Sequence, residues 1–171
     1  DPTVPGIDPE SLWKWLGNWE AKTGGQVLAI PHNGNLSNGQ MFESKRFNGQ
    51  PITKQWAEER ARWEPLVEVF QIKGTSETHP SLSPNDEFAS FGIWDTANLN
   101  GVVKKDGDLQ GEYLREALKT GLRLQTEFGV NPFKYGMAAG SDTHNSLATG
   151  GEEGNFWGKF VADQPSPKRW D

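Results

Sequence analysis

Cysteine is absent from this sequence, which excludes a disulfide framework, a Cys-type zinc finger and thiol catalysis. Basic charge is also short. Seventeen Lys and Arg face 23 Asp and Glu, for a net charge of −6 and a pI near 5.1. No run of Lys or Arg exceeds two residues, so the electrostatic footprint of a nucleic-acid binder is missing. No apolar run approaches the ~18 residues that a membrane span needs. The opening DPTVPGIDPE has neither the basic end nor the apolar stretch of a signal peptide. It also lacks an initiator Met, which suggests a processed or truncated chain, and the compartment, cytoplasmic or periplasmic, stays open.

Against these absences stand eight Trp and nine Phe in 171 residues. Each supplies a large apolar area to a core, so residues 1–171 are expected to form a single domain without disulfides, although mean hydropathy is −0.72. Histidine is scarce, at three, so the position of each one carries information.

Asp8-Pro9-Glu10 reads as a helix N-cap, a first-turn proline and a first-turn acid. Leu12, Trp13, Leu16 and Trp19 then recur at helical spacing up to Gly24-Gly25. QVLAIP at 26–31 predicts a short buried strand running into the polar loop that begins His32-Asn33-Gly34-Asn35. A second helix is predicted at 54–63, with Trp56, Ala57, Arg60 and Trp63 on one stripe and Pro65 as its stop, followed by the strand LVEVFQI at 66–72. A Gly-, Ser-, Thr- and Pro-rich loop spans 73–84, then a short helix at 85–95 and a long one at 111–128. Tyr113, Leu114, Ala117, Leu118, Leu122 and Leu124 form the apolar face of the long helix. KYGMAAG at 134–140 predicts the last strand. The loop at 33–51 is the longest without structure of its own, a length usual for functional or disordered segments. Helices alternating with short apolar strands predict an α/β fold with a parallel sheet and flanking helices, either a small open sheet or part of a (β/α) barrel.

Ligands in such folds gather at the carboxyl ends of the strands. His32 follows the first predicted strand, and Asp142 with His144 follows the last. If the chain stays extended there, residues 142 and 144 point to one side with Cα atoms ~7 Å apart, a pattern suited to Zn²⁺, Mn²⁺ or Fe²⁺. Without a metal, the same residues cap the turn after a strand. A Ser141-Asp142-His144 triad is excluded, because adjacent residues diverge and no G-x-S-x-G elbow is present. Gly150-Gly151-Glu152-Glu153-Gly154 is no phosphate cradle, since two glutamates occupy it and no Lys follows at P-loop spacing. Glu68, charged within an apolar strand, either faces water at an edge or orients a ligand histidine. Asn35-Leu36-Ser37 is a formal glycosylation sequon. Trp13, Trp19, Trp56 and Trp63 are core residues or a sugar-stacking face.

Taken in order, IPHNGNLSNG, LVEVFQIKGTSE, FASFGIWD and YGMAAGSDTHNSLATGGEEGNFWGK resemble the uncharacterised branch of large PHP-like proteins catalogued as a domain of unknown function. PHP denotes the polymerase-and-histidinol-phosphatase superfamily. The resemblance spans essentially the whole chain. It implies part of a distorted (β/α)₇ barrel that holds up to three divalent metals (Mn, Zn or Fe) and hydrolyses phosphate esters of a small-molecule substrate. His32 resembles that family's third-motif metal histidine, and Asp142 and His144 its last metal motif. Glu68 resembles the acid of its E-[VI]-x-N-like strand. Asn33, Asn35 and Asn145 stand where water or substrate would be oriented. The family's opening H-x-H, its D-H turn and its metal-bridging glutamate lie upstream of the His32 motif and have no match here. The chain therefore resembles the C-terminal part of a catalytic domain, supplying about one protein ligand per ion, and is expected to bind metal weakly and catalyse little alone. A truncated barrel exposes sheet edges, which favours self-association. A noncatalytic α/β domain that binds a polar ligand such as a glycan is the alternative.

Overall fold

The computed structural model describes residues 8–140 and 142. Helix α1 (Pro9–Thr23) begins where the cap predicts: the Asp8 carboxylate accepts the Glu10 N–H at 2.9 Å, and Gly24, at φ 70°, closes the far end. Its stripe is narrower than the sequence suggests. Trp13 and Leu16 are buried, while Leu12 and Trp19 are partly exposed.

Helix α2 (Lys54–Trp63) is capped by Thr53, whose hydroxyl accepts the Trp56 N–H at 3.2 Å. It buries the four residues expected, Trp56, Ala57, Arg60 and Trp63. Trp13 of α1 meets Trp56 edge-on at 5.5 Å, and its indole N–H reaches Glu64 at 2.7 Å. Arg60 lies inside the core, with its guanidinium 4.8 Å from the Phe133 ring centroid and 3.0 Å from the Glu64 carboxylate. A buried charge is tolerated only when paired and hydrogen-bonded. Tyr135 Oη at 3.2 Å and the Met41 carbonyl at 2.9 Å complete that set.

Three strands form a sheet of order β2-β1-β3. Strand β1 (Leu66–Gln71) is central, β2 (Gly74–Thr75) is antiparallel to it, and β3 (Gly136–Ala139) is parallel. The sheet is thus mixed rather than wholly parallel, because the chain doubles back within the predicted 73–84 loop. The β1–β3 register is irregular between Glu68 and Phe70, a bulge that re-aims side chains at that point.

The strand predicted at 26–31 is an extended segment and not a ladder member. It runs beside β1 through two backbone bonds, Ala29 N–H to the Trp63 carbonyl at 2.8 Å and Glu68 N–H to the Pro31 carbonyl at 2.9 Å. Pro31 has no N–H to give and Pro65 interrupts the partner. Nor is the segment uniformly buried, since Leu28 and Ile30 are exposed while Val27 and Ala29 pack against the core.

The short helix expected at 85–95 is a series of turns. Asp86 ties its side chain to the Phe88 N–H at 2.9 Å, and Gly92 takes φ +65°, both of which compete with helix. Helix α3 (Leu114–Phe128) is preceded by a 3-10 turn at Asp108–Gly111, so the helix starts later than predicted. Its inward stripe runs through Leu114, Ala117, Gly121 and Leu124. Leu122 lies off that line and is 65% exposed. Gly121 holds the inward place because a Cβ there would meet Asn131 Oδ1 at 2.2 Å. The 33–51 loop is not structureless, since it contains a 3-10 turn at Gly34–Leu36 and a bridge between Lys45 and Pro51. Among the described residues no helix is long and apolar enough to cross a membrane.

Candidate functional site

The exits of the extended segment, of β1 and of β3 are joined by one polar network. Asn33, at φ 59°, donates its backbone N–H to Glu68 Oε1 at 3.3 Å. Its side-chain oxygen accepts from the Gln71 amide. Gln71 Oε1 in turn accepts the Lys73 N–H at 2.7 Å, and the Lys73 ammonium pairs with Asp142 Oδ2. The Gly140 N–H donates to the Phe70 carbonyl at 3.2 Å, which carries β3 to the same end of β1. Glu68 is half-buried on the central strand, so an edge position is not its setting.

Electrostatics at this rim turn on Lys73. Burial pulls its ammonium below the ordinary lysine value, and the Glu68 carboxylate opposes that shift. An amine that is costly to desolvate is held here by two carboxylates, Glu68 through space and Asp142 by contact.

His32 is exposed on the wall of an open depression of about 600 Å³, shared with Ile30, Leu36, Met41, Arg60 and Glu64. Asp142 is not among the residues that line it. Among the described residues no group of three or more His, Asp or Glu is placed to hold a metal. What connects the two exits is the network that begins one residue after His32. Asp142 has φ 52°, so the backbone is not extended at that residue, and its expected pairing with residue 144 lies outside the described residues. A short Asx side chain is among the few that accept that backbone region. His144, Asn145 and the glycines of 150–154 lie outside the described residues.

Asn35 is an internal strut. It is 1% exposed, its amide donates to the Lys73 and Trp94 carbonyls at 3.0 and 3.1 Å, and its oxygen accepts from Ser76 at 2.9 Å. That bonding fixes the loop after the extended segment to the end of β1. Gly34 permits the close approach, because a Cβ there would meet the Glu112 carbonyl at 2.7 Å. The third histidine, His79, has both ring nitrogens engaged, Nε2 with Asp95 at 2.9 Å and Nδ1 with the Ser81 N–H at 3.1 Å. It is a turn-holding residue. Trp13, Trp56 and Trp63 are buried, which withdraws them from any solvent-facing stacking surface.

Gln71 and Lys73 are the functional candidates that sequence reasoning missed. The available signal was two further polar groups at the end of a strand that already carries Glu68, VEVFQIK.

No curated protein and no solved structure matches the chain. The profile described as a protein of unknown function, DUF3604, matches residues 2–171, and the chain belongs to that family.

Proposed function

We propose that this chain is part of a divalent-metal-dependent hydrolase of the PHP type, acting on phosphate esters of a small molecule at the rim where the extended segment, β1 and β3 end. The observation that supports it is the network Glu68–Asn33–Gln71–Lys73–Asp142, which ties candidate positions from three separate segments to one end of the sheet. In this reading the three-stranded sheet is a portion of a distorted seven-stranded barrel. Further strands would add at β3, whose four residues are all exposed, and the same edge is where self-association would occur.

The described residues do not by themselves fit a metal, since none of them form a group of three or more His, Asp or Glu placed to hold one, and Asp142 is paired with Lys73. His32, Asp142 and His144 are the proposed ligands for Mn, Zn or Fe, with the remaining ligands from outside these residues. The chemistry such an ion supplies is a water acidified toward neutrality and neutralisation of charge on a phosphoryl oxygen. The chain's own contributions are positional. Asn33 and Glu68 fix the entry of the 33–51 loop, Gln71 holds Asn33, and Lys73 keeps the Asp142 carboxylate at the rim. Asn145 remains a substrate-orienting candidate.

The test is metal binding by calorimetry with Mn²⁺ and Zn²⁺, beside hydrolysis of p-nitrophenyl phosphate. The reading expects weak, saturable metal binding that D142N and H144A each reduce about tenfold or more, as loss of a ligand does. Binding unchanged in both variants rejects it and favours a noncatalytic domain for a polar ligand.

A further inference from the structure

Against β1 and β2, an open cleft of about 600 Å³ is lined by Phe70, Phe88, Phe91, Glu77, Asp86 and Arg115 among others. Phe88 and Phe91 are 74% and 58% exposed. Two phenylalanines this exposed within a few residues forgo the burial that usually places Phe in a core. The turn that carries them is firmly held. Asp86 accepts the Phe88 N–H, Arg115 pairs with Asp86 at 2.7 Å and with Glu77 at 2.6 Å, and the Gly92 carbonyl accepts the Thr75 N–H at 2.8 Å. Gly92 lies so close to β1 that a Cβ would meet the Phe70 ring at 2.7 Å. Phe91 stacks on Phe70 with centroids 5.9 Å apart and planes 19° apart. The rings are thus presented to solvent by a built structure.

Charge selects the ligand. Glu77 and Asp86 carry two negative charges against the one positive charge of Arg115. Both Arg115 bonds to Glu77 fall on Oε1, leaving Oε2 for a ligand. Aromatic faces attract cations, and phenyl rings with a nearby carboxylate are the usual receptor for methylated ammonium groups. We infer that this cleft is a binding site for a small organic cation bearing a quaternary or methylated ammonium head, seated on Phe88 and Phe91 with Glu77 as its counter-charge. The cleft shares Phe70 with the end of β1, but His32, Glu68, Lys73 and Asp142 do not line it, and its failure would leave the hydrolytic reading untouched.

The experiment is an amide NMR titration of the chain with choline and, in parallel, with its neutral isostere in which carbon replaces nitrogen. Choline should shift the resonances of residues 86–92, with the isostere bound at least about tenfold more weakly. F88A and F91A should each weaken choline about three- to thirtyfold, the range of single cation–π contacts. E77Q should weaken choline and leave the isostere unchanged. Phe88 is exposed enough for its truncation to leave the fold intact, and the comparison of the two probes on the wild-type chain needs no variant. Equal affinity for both probes, shifts located elsewhere, no shift at millimolar choline, or affinity unchanged in F88A/F91A overturns the inference.

Discussion

The backbone N–H of Asn33 donates to the carboxylate of Glu68 at 3.3 Å across 35 residues of sequence, which anchors the start of the long loop to the middle of the central strand. Asn33 holds this position in the left-handed region, at φ 59°, where a Cβ costs about 1–2 kcal/mol unless the residue is Gly or a short Asx. N33A should therefore lose about 2–3 kcal/mol, the strain plus the bond to the buried Gln71 amide. N33G, free of the strain, should be about 1 kcal/mol less destabilised. Urea unfolding of both variants gives the comparison, and equal losses would mean that the backbone conformation contributes nothing.

Asn35 is predicted to act through stability. N35A removes the side-chain bonds to the Lys73 and Trp94 carbonyls and the acceptor of the Ser76 hydroxyl, at roughly 1 kcal/mol each. The expected loss is about 3 kcal/mol in chemical denaturation. A variant as stable as the parent would return Asn35 to the role of a substrate-facing residue.

Asp86 gives the acid response of the aromatic turn. The Phe88 N–H, and then Arg115, hold its carboxyl below the ordinary aspartate value. A depressed folded-state pKa stabilises fully above the unfolded value, near 3.9, and that stabilisation is lost as pH falls from there through the folded value. Wild type should exceed D86N in melting temperature at pH 6, and the gap should close as pH falls below about 4. A gap that stays constant with pH would show that ionisation of Asp86 does not hold the turn.

The helices were legible because their ends are written locally. Asp8, Pro9 and Gly24 bracket α1, and Trp56, Ala57, Arg60 and Trp63 mark the buried stripe of α2. Two of the differences in element type, at 26–31 and 85–95, arose where the local sequence is ambiguous. QVLAIP has a strand's composition, but Pro31 and Pro65, just before β1, remove the donors and geometry for a ladder. NDEFASFGIWD has some helical spacing, yet Asp86 and Gly92 form turns. At the rim, Glu68 and Asn33 were visible as polar residues at a strand and its exit. Gln71 and Lys73 were not, because their significance comes from partners at positions 33 and 142, and pairing over such distances leaves no periodicity to read. Asn35 is likewise only a polar loop residue in the sequence, and nothing local announces that Ser76, Lys73 and Trp94 surround it.

The account rests on the strand exits forming one metal-binding rim, and Mn²⁺-induced paramagnetic broadening of amide resonances tests it most directly. Substoichiometric Mn²⁺ should selectively broaden residues 32–33, 68–73 and 142, and D142N should shift the effect to about tenfold or more higher Mn²⁺. Broadening scattered over the acidic surface, or absent at those positions, would contradict it.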